Sequence, residues 1–298
     1  TILTRNSSKS TNTCIGLKLN NNQFSYSISW RSKNTKYGNN PSMKIGNDFE
    51  YSGSKNFNDH PDLTRIDIKN SITDPYENIY VKTYNLNNPI NLIALCDVSS
   101  SMFVAKKNDS IIKKLSKIIA RSAISQGDRF SMICFNDLIN DKFFLETGNN
   151  LEYINEWIDE IKFESNKSSS DGIKDINKYL PEEKSMVFWI SDYHNTIENI
   201  EQTINQLSNH HVIPLFISSE GELKKLPNYG FRKFVDSELN LEHEVFLRPT
   251  VKQKILNDYE EMKKKIFQVF SQKQLKQIII DEDINIEIIQ KYFLGTKI

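Results

Sequence analysis

The sequence has few cysteines, and they lie far apart. Cys14, Cys96 and Cys134 are odd in number, and the last two lie inside apolar runs. A disulfide framework or a zinc site needs cysteines at short, paired spacings, which this sequence does not have. We therefore predict reduced cysteines in the core, and we exclude a fold held together by disulfides or zinc.

Excess charge, long apolar runs and a phosphate-binding loop are also missing. Lys plus Arg and Asp plus Glu number 38 each, so the net charge of zero does not favour a nucleic acid as the main ligand. The longest apolar runs have about six residues, whereas about 20 are needed to span a bilayer. The opening stretch TILTRNSSKS lacks the apolar segment of a signal peptide, so we expect a cytoplasmic protein. Without a glycine-rich phosphate loop, nucleotide hydrolysis would need another protein.

The middle of the chain alternates short apolar runs with amphipathic stretches. The predicted strands are NLIALC (91–96), RFSMICF (129–135), SMVFWIS (185–191) and HVIPLFIS (211–218). The predicted helices, each with one apolar face, cover residues 110–124, 151–161, 172–180 and 196–207. Apolar strands that alternate with such helices favour parallel pairing, with helices on both faces of the sheet. The predicted fold class is therefore α/β with a doubly wound, mainly parallel sheet.

Two flanking segments complete the predicted organisation. The first is polar, with strands expected at 13–19, 24–30 and 80–84 and an irregular stretch from 31 to 61. The second has a long helix after Pro249, a strand at 274–280 and a short helix at 284–293. We therefore predict an N-terminal β-rich segment (1–88), a central domain (89–238) and a C-terminal extension of helix, strand and helix (239–298).

Three groups of oxygen-bearing side chains lie near the ends of predicted elements. Asp97, Ser99 and Ser101 follow the strand 91–96 directly. A run of three serines and an Asp (168–171) precedes a helix, and Ser170 or the neighbouring Asp is its candidate ligand. Asp192 follows the strand 185–191. Because open α/β sheets bind ligands outside the carboxyl ends of their strands, we expect the three groups to share one crevice.

Oxygen ligands alone suit a hard cation, Mg²⁺ or Mn²⁺, which keeps some water ligands and leaves a position for an oxygen atom from a partner. The pattern of Asp97, Ser99 and Ser101 is short, and by itself it fits the cap of a helix equally well. Asp192 at the end of a second core strand favours the metal. We therefore predict a metal site formed by Asp97, Ser99, Ser101, Ser170 and Asp192.

These residues resemble the metal-ion-dependent adhesion site of von Willebrand factor A domains. The stretch EYSGSKNFNDHPDLTRIDIKNS (50–71) resembles the upstream signature of a bacterial branch of that family, which is associated with MoxR-type AAA+ ATPases and has Arg-x-Ile-Asp-Trp at this place. GDRFSMICF (127–135) and SEGELKKLPNYGFRKFVD (219–236) are similar to later parts of the branch, so the resemblance covers residues 43–295. The signature positions that agree are Glu50, Tyr51, Asp62, Ile66 and Asp67.

Other signature positions differ. Lys55 and Phe57 stand where the branch has Arg and Tyr, and His60 with Pro61 replaces a Gly-Asp turn. Thr64 stands where Arg is expected, and Ile68 where Trp is usual.

The resemblance implies a non-catalytic module that binds a partner protein through Mg²⁺. It further implies that the partner is a MoxR-type ATPase and that the pair acts in maturation or remodelling of a complex. The abundance of Asn, Lys and Ile indicates an AT-rich bacterial genome. Two alternatives remain open, a Mg²⁺-dependent hydrolase of phosphate esters and a metal-free interaction scaffold. A covalent phospho-Asp mechanism is disfavoured, because Ser99 stands where such enzymes have a second acid.

Overall fold

The computed structural model describes residues 22–28, 30, 41–46, 50–59, 61–87, 89–104, 108–137, 139–161, 170–236, 241–281 and 284–295. An antiparallel sheet comes first, built from β1 (Pro41–Gly46), β2 (Glu50–Asn56) and β3 (Tyr80–Asn87), with β3 in the middle. The prediction of an irregular stretch over 31–61 is therefore wrong where β1 and β2 form. The predicted strand at 13–19 lies outside the described residues.

The signature residue Asp67 fastens a short helix, α1 (Ile68–Thr73), to this first sheet. Its buried carboxylate caps α1 by accepting a hydrogen bond of 3.2 Å from the Asn70 N–H, and it also accepts the Ser54 hydroxyl. Its own N–H donates to the Tyr80 carbonyl at 2.7 Å. Asp67 therefore has a structural role, as a helix cap that also joins β2 and β3.

A second, larger sheet forms the centre of the molecule. The strands that follow along the chain are β4 (Asn91–Asp97), β5 (Arg129–Phe135), β6 (Ile139–Gly148), β7 (Met186–Ser191), β8 (His211–Ile217), β9 (Gly230–Asp236), β10 (Leu241–Leu247) and β11 (Ile278–Ile280). Six of them form the central sheet in the order β11-β8-β7-β4-β5-β6, and only β6 is antiparallel to its neighbour. The strands β9 and β10 pair with each other in a separate hairpin.

Helices cover both faces of the central sheet. They are α2 (Ser100–Val104), α3 (Asn108–Ser125), α4 (Leu151–Glu160), α5 (Ile197–Gln206), α6 (Glu220–Lys224), α7 (Pro249–Gln272) and α8 (Ile286–Gly295), with a 3₁₀ helix at Asp171–Lys178. The predicted helices are all present, and the prediction of a doubly wound, mainly parallel sheet is confirmed. No helix in the described ranges is both long enough and apolar enough to cross a membrane.

The core has two layers because successive side chains of a strand point to opposite faces. In β4, which is fully buried, Leu92 and Cys96 face the layer with α3, α4 and α8, whereas Ile93 and Leu95 face the layer with α5 and α7. Cys96 and Cys134 are free and buried, as predicted, and Cys14 lies outside the described residues. An apolar run without polar interruptions is what a central strand covered on both faces requires.

Residues 22–28 pack along the central domain without forming the predicted strand. Side chains take the place of a strand partner: the Phe24 N–H donates to Ser122 Oγ at 3.0 Å, and the Ser25 N–H donates to Gln290 Oε1 at 2.7 Å. The buried Phe24 ring stacks on Phe293 of α8 at 5.5 Å. The prediction of a strand at 24–30 is therefore wrong for the described part of that stretch, and its apolar alternation instead inserts side chains into the core.

Candidate metal centre

The predicted carboxylates lie at the point where the order of the strands reverses. The chain leaves β4 for β5 and β6 on one side, and later places β7 and β8 on the other side of β4. Doubly wound sheets bind ligands in the crevice at this point, outside the carboxyl ends of the strands. Asp97 is the last residue of β4 and Asp192 directly follows β7, so both carboxylates lie at this crevice.

The first loop is short and internally bonded. The Ser99 N–H donates to Asp97 Oδ1 at 2.9 Å, and the Val98 N–H donates to the Phe135 carbonyl of β5 at 2.9 Å. Helix α2 then begins, and the hydroxyl oxygens of Ser99 and Ser101 lie 3.1 Å apart. The predicted pattern of Asp97 and two serines therefore forms one compact group of oxygen atoms.

The third loop is bonded directly to the first. The Ser191 hydroxyl donates to Asp97 Oδ2 at 2.7 Å and accepts the Tyr193 N–H at 2.8 Å. The carboxylate of Asp192 is buried, and its Oδ1 accepts the His194 N–H at 3.1 Å. Ser191 therefore fixes the distance between the two strand ends that carry the carboxylates.

Tyr193 holds the third loop in an unusual backbone conformation. Its φ of 55° lies in the left-handed region, which residues other than glycine seldom adopt. The buried ring stacks on Phe216 at 5.9 Å and meets Phe270 of α7 edge-on at 5.1 Å. Its hydroxyl donates to the Trp189 carbonyl at 2.7 Å. This packing stabilises the strained backbone that places Asp192 at the crevice.

The second loop reaches the site through Ser170. Its side chain is buried, and its hydroxyl accepts a hydrogen bond of 3.0 Å from Asn195 Nδ2 of the third loop. The neighbouring Asp171 is exposed and forms an ion pair of 2.6 Å with Lys174. The structure thus joins Ser170 to the third loop, whereas Asp171 is bonded on the surface.

Two buried acidic groups share the crevice. Burial raises the pKa of Asp97 to about 7, and the negative charge of Asp192 adds to that rise. Burial also raises the pKa of Tyr193, with a further contribution from the charge of Asp97. In the part of the chain that the structure describes, neither carboxylate has an ion-pair partner. A cation at the crevice would therefore relieve an unfavourable pairing of like charges.

The oxygen atoms fit a hard divalent cation. Two adjacent ligands of an octahedral Mg²⁺, at 2.0–2.1 Å from the ion, are about 3 Å apart, and the Ser99 and Ser101 hydroxyls are 3.1 Å apart. Among the described residues, no group of three or more His, Cys, Asp or Glu side chains could hold a metal. The predicted site differs from such a group because three of its five residues are serines and only two are carboxylates.

The contacts of three further residues at the site were not predictable from the sequence. Ser191 adjoins Asp192, but only the register of β7 beside β4 places its hydroxyl on Asp97. Tyr193 and Asn195 carried no sequence signal, because their contacts depend on residues distant in the chain, Phe270 and Ser170.

Solved structures that are similar to this chain include proteins from bacteria and from a mussel. Protein BatB of Bacteroides thetaiotaomicron is 14% identical, with a TM-score of 0.44 over 69% of this chain and 98% of its own. An aerotolerance-related membrane protein of Bacteroides fragilis is 15% identical, with a TM-score of 0.43 over 69% and 97%. Proximal thread matrix protein 1 of the mussel byssus, solved with a zinc-occupied MIDAS motif, is 17% identical, with a TM-score of 0.37 over 57% and 47%.

No curated protein matches the chain by sequence. The family described as "Protein of unknown function DUF58" matches residues 61–266, which are more than half of the chain, and the chain therefore belongs to this family.

Proposed function

We propose that the chain is a metal-dependent protein-binding module of the von Willebrand factor A type. Asp97, Ser99, Ser101, Ser170 and Asp192 would hold Mg²⁺ or Mn²⁺, either directly or through water. The observation that carries this proposal is the pair of buried carboxylates at the switch point, surrounded by hydroxyls and without an ion pair among the described residues.

The bound cation would supply an open or water-filled coordination position for an acidic group of a partner. The residues of this chain would orient that position. Ser191 holds Asp97 in place, and the hydrogen bond from Asn195 to Ser170 holds the second loop against the third. A partner carboxylate would bind tightly here only if the flanking residues of the loops exclude water around it.

We propose a MoxR-type AAA+ ATPase as the partner, and maturation or remodelling of a complex as the role of the pair. The resemblance of residues 50–71 to the MoxR-associated signature supports this partner. An ATP-consuming partner and free, buried cysteines also agree with a cytoplasmic location.

We propose no catalytic step for the site. A phospho-Asp enzyme would need its second acid two residues after Asp97, and that residue is Ser99, whose hydroxyl contacts Ser101. The hydroxyl of Ser191 already donates to Asp97 and accepts a backbone N–H, so it does not resemble an activated nucleophile.

Calorimetric titration with Mg²⁺ and Mn²⁺ tests the metal. Wild type should bind, Asp97→Ala should not, and Asp171→Asn, which changes an exposed carboxylate beside the site, should bind like wild type. Equal heats for wild type and Asp97→Ala would exclude the metal site and favour the metal-free scaffold.

A pull-down of the MoxR-type ATPase encoded nearest this gene tests the partner. Binding should require Mg²⁺ and should be lost in EDTA and in the Ser99→Ala/Ser101→Ala variant. Binding that persists in EDTA would show that the metal face is not the docking surface. Turnover of a generic phosphate ester by wild type, absent in Asp97→Ala, would favour the hydrolase instead.

A further inference from the structure

The hairpin of β9 and β10 stands apart from both larger sheets. Along the chain it follows α6 and precedes α7. Within the described residues each of its strands pairs only with the other. Leu247, the last residue of β10, is fully buried. A two-stranded hairpin is marginally stable in water unless further strands or a packed face support it. The outer edge of β10 therefore offers unpaired main-chain groups to another strand.

One face of the hairpin carries exposed aromatic side chains. Phe231 is 74% exposed and Phe246 is 39% exposed, and they lie opposite each other in the register of the two strands. Their ring centroids are 4.9 Å apart, and the guanidinium of Arg248 lies 5.7 Å from the Phe246 ring. An exposed aromatic pair beside an open strand edge is typical of an interaction surface.

The sequence of β10 is complementary to itself in one antiparallel register. Glu244 and Arg248 are both exposed and lie two residues on either side of Phe246, so they point to the same face as its ring. If β10 pairs with β10 of a second copy about a two-fold axis at Phe246, Glu244 of each copy lies opposite Arg248 of the other. In the same register Phe246 of one copy lies opposite Phe246 of the other, so charged residues meet opposite charges and exposed rings meet each other.

We propose that the β10 edge is a homodimer interface, with a second copy of this chain as its occupant. The two hairpins pair through residues 244–248 of each copy, because α7 begins at residue 249, and over this segment they form a four-stranded antiparallel sheet. Phe231 and Phe246 of both copies then form a continuous row of four rings across one face. Such an interface is isologous, so the same surface is used by both copies and the assembly closes as a dimer. This inference does not depend on the metal site.

Sedimentation velocity over a concentration series up to about 100 µM tests the interface, because an interface with a micromolar dissociation constant is populated there. Wild type should form a dimer. Glu244→Arg places Arg opposite Arg248, and Arg248→Glu places Glu opposite Glu244. Each single variant should raise the dissociation constant by at least about tenfold.

The double variant Glu244→Arg/Arg248→Glu is the decisive control, since it restores opposite charges with their positions exchanged. It should return the dissociation constant of the dimer to within about threefold of the wild-type value. Both residues are exposed, so the variants should keep the wild-type melting temperature, and Asp97→Ala should dimerise as wild type does.

A monomeric wild type at the highest concentration would overturn the proposal and leave the hairpin face to a different protein. A dissociation constant that the single charge changes leave unaltered would also overturn it. So would a weakened dimer that the double variant fails to restore.

Discussion

The hydroxyl of Ser191 donates a hydrogen bond of 2.7 Å to Oδ2 of Asp97, which ties the end of β7 to the end of β4. The same oxygen accepts the Tyr193 N–H, so one serine contacts both a carboxylate of the proposed metal site and the strained loop that follows it. This double role can be tested, because removing the hydroxyl breaks both bonds together.

We predict that Ser191→Ala lowers both stability and metal affinity. The buried Tyr193 N–H loses its acceptor, which should cost about 1–3 kcal/mol in the free energy of unfolding. Asp97 loses the donor that orients it, so Mg²⁺ affinity should fall as well. Urea denaturation and calorimetric titration measure the two effects.

Ser185→Ala is the matched control, because Ser185 is a buried serine just before the other end of β7, where its hydroxyl donates to the Glu183 carbonyl at 2.9 Å. It should lower stability and leave Mg²⁺ affinity unchanged. A loss of metal affinity in both variants would mean that Ser191 acts only through general stability.

We predict that Asp97→Asn leaves the metal-free protein as stable as wild type, or more stable by about 1–3 kcal/mol. The substitution keeps the shape of the side chain and removes one of two buried carboxylates that repel each other. Thermal and urea denaturation in EDTA measure this. A clear loss of stability would show that Asp97 is a structural cap for the start of α2, which is the alternative that the sequence pattern left open.

We predict that Ser170, and not Asp171, is the ligand from the second loop. Ser170→Ala removes a buried hydroxyl bonded to Asn195, and it should weaken Mg²⁺ binding by about tenfold. Asp171→Asn breaks an exposed ion pair with Lys174, so metal affinity and stability should change little. The opposite ranking of the two variants in calorimetric titration would assign the ligand to Asp171.

Sequence periodicity was sufficient for the centre of the sheet because four of its parallel strands, β4, β5, β7 and β8, are buried on both faces. An uninterrupted apolar run such as 91–96 is typical of a strand that is covered on both faces of a sheet. The antiparallel strand β6 and the hairpin of β9 and β10 escaped prediction for the opposite reason. Their sequences, INDKFFLETG and GFRKFVD, mix charged and apolar residues and lack the uninterrupted apolar run of a strand covered on both faces.

For the site, the sequence predicted which residues lie at strand ends, because the fold class dictates that these ends meet. The interactions between the loops were not predictable. The contact of Ser191 with Asp97 requires the register of two strands 94 residues apart, and the position of Asn195 follows from the left-handed turn at Tyr193. A tyrosine gives no sequence signal for such a turn, since its aromatic neighbours come from β8 and α7.

Two histidines at the amino end of β8 predict how stability depends on pH. Burial lowers the pKa of His210 and of His211, and the positive charge of Lys184 lowers both further. His210 Nδ1 accepts the Ser185 N–H at 3.2 Å, which requires that this ring nitrogen carries no proton. The ring of His211 packs on Trp30 at 5.1 Å. Both rings are therefore built into the fold in their neutral form.

We predict that these histidines destabilise the fold as the pH falls. An unfolded histidine has a pKa of about 6.5, so below that pH the unfolded chain takes up protons that the folded protein does not. Their contribution to stability is therefore complete above about pH 6.5 and is lost below it. Urea denaturation between about pH 8 and pH 5 measures the loss, and the His210→Gln/His211→Gln variant should show a flatter dependence. The comparison belongs in the Asp97→Asn background, because the raised pKa of Asp97 gives a dependence of opposite sign in the same range. The prediction would be contradicted if the free energy of unfolding changed with pH by the same slope in the variants with and without the two histidines.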